Sequence, residues 1–298
     1  MELGIIVDDL IKCEKCLNKK KLTVKNGFSD YEILMNKSIK YLYFGHEFCQ
    51  YKLPRLSDVI KAIDYSHNSD LEFVLVTPPL TDYGCKICST YLDYFIENKI
   101  ESEIVINDIG MIDLIKRKHY SGKITFGRVL EKSIHEMRLT DLEETNYYSS
   151  EGYVYMHSLA FQASSFSDFF NEYGVSRIEY DGDKYIKNIN SSKIKIDYIY
   201  PTEYLTTGRM CLFRIAAQKD DERFLLNDSC SRLCNEHYEI MNKMMSYFKL
   251  DSNGNRIREE NILRKGNTLF SIDKTLKINQ NADRLIVDIS NIYDTIFY

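Results

Sequence analysis

Short apolar, β-branched runs recur along the chain with amphipathic segments between them, the pattern of repeated βα units around a parallel sheet. Leu3 to Val7 is the first run and Tyr41-Leu42-Tyr43-Phe44-Gly45 the second. Leu56, Val59, Ile60 and Ile63 then share one helical face. Phe73 to Val76 is stopped by Pro78-Pro79, where the backbone can no longer donate to a ladder. A helix through Tyr91, Leu92 and Phe95 leads to the run Glu103 to Asp108, the helical Met111 to Arg117 and the run Lys123 to Arg128. The polar, tyrosine-rich stretch from Glu131 to Ser150 reads as an irregular connection. Beyond it a short strand at Val154 to Met156, a helix over Ser165 to Tyr173 and strands at Val175 to Tyr180 and Ile194 to Tyr200 are expected. Tyr238, Met241, Met244, Met245 and Phe248 have helical, core-packing spacing, Asp251 to Asn255 reads as a turn, and Leu269 to Ile272 and Leu285 to Ile289 read as the final strands.

About eight parallel strands in α/β alternation close naturally as a (β/α)8 TIM-barrel-like fold, with room for irregular or incomplete units. No Pro-, Gly- or Ser-rich linker divides the 298 residues, so the expectation is a single barrel-like domain over 1–298 with a late cysteine-rich segment at 208–234. In such a barrel functional side chains gather at the strand C-terminal ends. Cys49, Asp108, Arg128 and Cys211 all follow expected strands.

Charge narrows the partners. The 44 Asp and Glu exceed the 39 Lys and Arg, and the net charge of −5 disfavours a broad nucleic-acid footprint. The first residues, Met1 to Asp9, carry neither a basic nor a long apolar region, and no window reaches the length of a membrane span, so a cytoplasmic protein is expected. In that compartment the eight cysteines read as metal ligands or redox thiols before disulfides. No HExxH, Gly-x-Ser-x-Gly, P-loop or dinucleotide fingerprint occurs, which weighs against metallopeptidase, serine hydrolase and nucleotide-dependent chemistry.

Cys211 followed by Cys230 and Cys234 places three soft ligands close together, and a fourth would complete a zinc or iron-sulfur site; spacing alone does not choose between them. Cys13/Cys16 and Cys85/Cys88 are two CxxC pairs, candidates for a second four-thiolate site for zinc or iron-sulfur, with unligated thiols or a redox couple as alternatives. Asp108 is either a functional carboxylate or a helix cap beside Gly110. Arg128 and Arg209 can hold an anionic substrate through a planar fork, or pair structurally with carboxylates. Glu179 faces either the barrel interior or solvent, and His46 and His157 are candidates for acid-base work or for satisfied hydrogen bonding.

Three segments occur in a distinctive order: Tyr43-Phe44-Gly45-His46-Glu47-Phe48-Cys49, Asn107-Asp108-Ile109-Gly110, and Gly208-Arg209-Met210-Cys211 ahead of a Cys-x3-Cys. Together they resemble the collagenase-like peptidase family (peptidase family U-thirty-two). The likeness is greatest to the branch holding the iron-sulfur subunit of the oxygen-independent hydroxylase of anaerobic ubiquinone biosynthesis, whose segments read YLGExxC, SDLG and ARC or GRC. The resemblance implies a [4Fe-4S] cluster on Cys49, Cys211, Cys230 and Cys234. It also implies an oxygen-independent hydroxylase, or one subunit of it in a heterodimer with a related iron-sulfur chain. Such an enzyme acts on a small aromatic or biosynthetic intermediate with prephenate as oxygen donor, and Asp108, Arg128 and Arg209 are the candidate catalytic and clamping residues. An RNA-base hydroxylase, a peptidase or peptide-processing protein, and a non-catalytic iron-sulfur partner subunit are the alternatives within that resemblance. The chain departs from the pattern at His46, where the branch has Glu, in a longer gap between Cys211 and Cys230, and in Tyr204 to Gly208, where peptidase-named members carry HGAxC. The last departure weighs against peptidase chemistry.

Overall fold

Runs of residues buried on both faces form most of the strands, as expected of a parallel sheet covered by helices. The computed structural model describes residues 1–11, 13–14, 39–131, 149, 151–152, 158–181, 194–216, 218–219, 230–240, 262–272 and 282–290. Among them are twelve strands: β1 (Glu2–Val7), β2 (Ile39–Gly45), β3 (Glu72–Thr77), β4 (Glu103–Ile106), β5 (Ile124–Phe126), β6 (Val175–Tyr180), β7 (Lys195–Tyr200), β8 (Thr202–Thr207), β9 (Glu239–Ile240), β10 (Ile262–Lys265), β11 (Thr268–Ile272) and β12 (Arg284–Asp288). Strands β1 to β7 pair in parallel with their sequence neighbours, and β12 closes the ring between β7 and β1. Ile5 stands opposite both Leu42 and Val287 in the register. The result is a closed, eight-stranded, all-parallel barrel surrounded by helices, a TIM-barrel-like fold.

Helices α1 (Leu56–Asn68), α2 (Asp82–Glu97), α3 (Ile109–Arg117) and α4 (Ser164–Tyr173) cover the outside. Val59 and Ala62 of α1, Tyr91, Leu92 and Phe95 of α2, and Met111, Ile112 and Ile115 of α3 are buried in one cluster with outward-facing strand residues such as Leu42, Leu75 and Ile104. The alternate positions point inward, where Ile6, Tyr43, Val76, Val105, Ile199 and Ile286 form a second cluster. Gly4 leaves room there for Tyr43, whose ring would lie 2.7 Å from any added Cβ. The interior also holds ion pairs between side chains. Arg284 donates to both oxygens of Glu103 at 3.0 Å and to the Tyr43 hydroxyl at 2.9 Å, and Arg177 forks onto Asp197.

Leu269 to Ile272 departs from the expected barrel role. It lies in β11, part of a separate antiparallel sheet of order β8-β11-β10-β9 that the chain builds between β7 and β12. The reason is local: β10 and β11 are joined only by Gly266 and Asn267, and a two-residue connection permits an antiparallel hairpin, whereas a parallel partner needs a long crossover. Gly266 supplies the positive φ of 63° that such a turn requires. The expected strand at Val154 to Met156, residues 241–248 of the expected late helix, the turn at Asp251 to Asn255, His157 and Cys16 lie outside the described residues. Among the described residues no helix is long and apolar enough to cross a membrane.

Candidate metal centre

The β2 strand ends at Gly45, whose φ of 138° and whose approach to the Val76 carbonyl exclude a side chain: a Cβ there would lie 2.1 Å from that oxygen. The chain then turns over the barrel mouth. His46 is buried, and its Nδ1 accepts hydrogen bonds from the backbone N–H groups of Phe48 at 3.2 Å and Cys49 at 3.1 Å, so the imidazole shapes the loop that presents Cys49. Phe48 packs edge-on against Phe270 of β11 at 5.2 Å and against Tyr204 of β8 at 5.8 Å. These rings fasten the Cys49 loop to the antiparallel sheet.

That sheet carries the other thiols. Cys211 follows β8 at the start of the short helix α5 (Leu212–Ala216). Cys230 and Cys234 precede β9, with Arg232 between them in the left-handed region at φ 54° and a 3-10 turn over Leu233–Asn235. Cys49, Cys211, Cys230 and Cys234 all line one cavity of about 290 Å³, together with His46 and Tyr51. Other parts of its wall follow β3 and β5, at Thr81 and Val129, which places the cavity on the C-terminal face of the barrel.

The electrostatics of the four sulfurs are linked. Burial pushes the Cys49 thiol up to about 11, the Tyr51 backbone N–H opposes that rise, and Cys234, Cys230 and Cys211 each add to it. Burial also raises the Cys211 thiol, against the backbone N–H groups of Arg214 and Phe213. The Arg232 N–H donates to Cys230 Sγ at 3.5 Å. Three of the four sulfurs thus face a backbone N–H from two residues further on, an arrangement that favours thiolate and, in iron-sulfur proteins, helps set the potential. Left alone, Cys49 and Cys211 keep their protons at neutral pH; a bound metal displaces them.

Four thiols, backbone donors and a cationic rim fit an iron-sulfur cluster. Of the four basic residues that line the cavity, Arg209 and Arg232 suit the net negative charge of a cluster bound by four thiolates, whereas Lys52 and Lys265 bond to Asp8 and to the Ser290 carbonyl. Among the described residues no group of three or more His, Cys, Asp or Glu stands ready to hold one metal ion.

Beneath the cavity lies Arg128, fully buried. Its Nε and one Nη donate to Glu47 at 2.8 and 2.7 Å, that same Nη reaches Asp288 at 3.1 Å, and the other Nη reaches Asp181 at 2.9 Å and the Thr202 carbonyl at 2.5 Å. Burial opposes the guanidinium charge, and Glu47, Asp181 and Asp288 outweigh it. Burial pushes the Glu47 carboxyl up to about 7 even with Arg128 beside it. Glu179 faces the interior, fully buried, and neither of its carboxyl oxygens has a hydrogen-bond partner among the described residues. Burial, then Glu47 and Asp197, drive its pKa well above the ordinary carboxylate range.

The sequence-based candidates fall into distinct places. Arg209 lies exposed on the cavity wall, with one long hydrogen bond of 3.4 Å to the Leu80 carbonyl. Arg128 has its fork filled by carboxylates, the structural alternative. Asp108 takes the capping alternative: one oxygen accepts from the Gly110 N–H at 2.8 Å, and the other accepts from the Leu80 N–H at 2.9 Å. Of the two CxxC pairs, Cys13, Cys85 and Cys88 are described and Cys16 is not. Cys13 is buried beside Tyr65 of α1, whereas Cys85 and Cys88 sit on α2 near Asp108. Glu47, Asp181 and Asp288 were missed as site residues, although each lies at or just past the end of a barrel strand, the signal that singled out Asp108 and Arg128. Compared with protein-family models, curated proteins and solved structures, the chain matches none.

Proposed function

We propose that Cys49, Cys211, Cys230 and Cys234 hold a [4Fe-4S] cluster and that the chain is an oxygen-independent hydroxylase or the iron-sulfur subunit of one. The observation that carries this reading is the convergence of four thiols, from the β2 end, the β8 end and the segment before β9, on one cavity at the catalytic face of a barrel. The cluster would supply one-electron chemistry at that face. The chain's own residues do the rest. Phe48 and Tyr51 give the cavity aromatic surface, and Arg209 and Arg232 offer guanidinium forks to an anionic ligand. Lys52 is paired with Asp8 at 3.2 Å and Lys265 donates to the Ser290 carbonyl at 3.3 Å, so both lean toward the barrel.

A small aromatic or biosynthetic acceptor, prephenate as oxygen donor and a related iron-sulfur chain as partner extend the proposal on the strength of the sequence resemblance. In this reading the carboxylates of the donor meet Arg209, and Arg128 holds the floor of the site. Anaerobic purification with iron and sulfide analysis tests the cluster, and product formation with and without prephenate tests the donor. Protein free of iron and sulfide would remove the first part, and product formed equally without prephenate the second.

A further inference from the structure

The β10–β11 turn does more than reverse the chain. The Asn267 side-chain amide donates to the Phe48 carbonyl at 2.8 Å and to the Gly208 carbonyl at 2.7 Å, one loop leading to Cys49 and the other to Cys211. These two carbonyls can only accept, which fixes the NH2 end of the amide toward the loops; its oxygen accepts from the Thr268 hydroxyl at 3.3 Å, and the Asn267 backbone carbonyl accepts from the Gly208 N–H at 3.2 Å. On the other side of the turn, Cys234 Cβ and Sγ lie 3.5 Å from where a Gly266 side chain would begin. One two-residue turn therefore touches the supports of Cys49, Cys211 and Cys234. A carboxamide suits this place because it offers two N–H donors from one short, planar group. A carboxylate there would face two carbonyl oxygens with no proton to offer.

We propose that Asn267 is the positioning residue that assembles the four-cysteine centre, a clamp that holds the Cys49 and Cys211 loops at their working separation. The inference rests on reading the four thiols as one ligand set. Both clamped carbonyls lie in loops outside the eight paired strands, so barrel closure does not depend on them.

The test compares the full-length chain with its Asn267→Ala and Asn267→Asp variants, purified anaerobically. Far-UV circular dichroism and thermal unfolding report the barrel; iron, sulfide and the rate of iron loss to a chelator report the centre. A readout free of metal is the yield of Cys49–Cys211 cross-link with dibromobimane in iron-free protein bearing Cys230→Ser and Cys234→Ser. The clamp predicts an intact barrel, iron lost to chelator about 10- to 100-fold more readily, and a cross-link yield that falls in both variants. Variants that keep iron and cross-link as the parent does would overturn the clamp and leave the cluster reading standing. A parent without iron whose cross-link still depends on Asn267 would retain the clamp and remove the cluster reading. Loss of far-UV signal in Asn267→Asp would also overturn the inference, because the residue would then serve the fold.

Discussion

The Arg128 guanidinium meets the Glu47 carboxylate in two parallel hydrogen bonds of 2.8 and 2.7 Å, with both side chains buried. Glu47 lies in the loop between His46 and Cys49, so this pair bolts the proposed ligand loop to the barrel interior. Asp181 and Asp288 share the same cation. Removing it leaves three buried carboxylates without their counter-charge, and Arg128→Ala is expected to destabilise the chain by about 3–5 kcal/mol. Urea unfolding measures this, and a loss under about 1 kcal/mol would contradict the assigned role.

Glu179 predicts a pH dependence. In the folded chain its pKa is raised by burial and by Glu47 and Asp197, against the attraction of Arg128, with Glu103 adding to the rise. An unfolded Glu titrates near about 4.3. Between that value and the raised one, the folded state holds a proton that the unfolded state has lost, so this group's contribution to stability falls as pH rises. Glu179→Gln has no such proton. Its stability should match the parent near pH 4 and exceed it increasingly as pH rises toward the raised folded-state pKa, with slopes differing by up to about 1.4 kcal/mol per pH unit. Parallel stability–pH curves for the two proteins would contradict the buried, protonated carboxyl.

Asp108 is expected to matter for stability rather than for chemistry. Asp108→Ala loses the cap of α3 and the bond to the Leu80 N–H, a change of about 1–2 kcal/mol, and Asp108→Asn should recover only the part carried by one of the two acceptors, because its amide nitrogen cannot accept. Thermal unfolding checks the ranking. An Asn variant as stable as the parent would contradict the two-acceptor role, and turnover lost in Asn beyond its loss of stability would point to a role for the charge that capping does not include.

The α2 thiols give a control for the number of metal sites. Cys88 is buried in the apolar core and Cys85 stands beside Asp108, away from the cavity lining. Cys85→Ser should leave iron and sulfide content unchanged, whereas Cys211→Ser should lower both. Loss of a second metal in Cys85→Ser would support the two-site reading.

The barrel was legible because strands buried on both faces write themselves as unbroken apolar runs such as Phe73 to Val76. The antiparallel sheet was less so. Thr202 to Thr207 is mostly polar, and the partner of Leu269 to Ile272 was decided by the Gly266-Asn267 turn, not by the strand's own composition. The thiols stood out by type and order, since cysteine is rare and chemically specific. The partners of Arg128 did not, because Glu47, Asp181 and Asp288 come from three different strand ends and meet only when the ring closes. Glu179 shows the limit of alternation in a strand: period two separates the faces without saying which face is inside.

The central claim is that Cys49, from the end of β2, completes a ligand set with Cys211, Cys230 and Cys234. The most direct measurement is iron and acid-labile sulfide per chain in anaerobically purified parent and Cys49→Ser protein, with zinc measured in the same samples. The account predicts about four iron and four sulfide per parent chain, and a large loss of both in Cys49→Ser while the barrel still melts cooperatively. Parent protein holding stoichiometric zinc, or no metal at all, would contradict it.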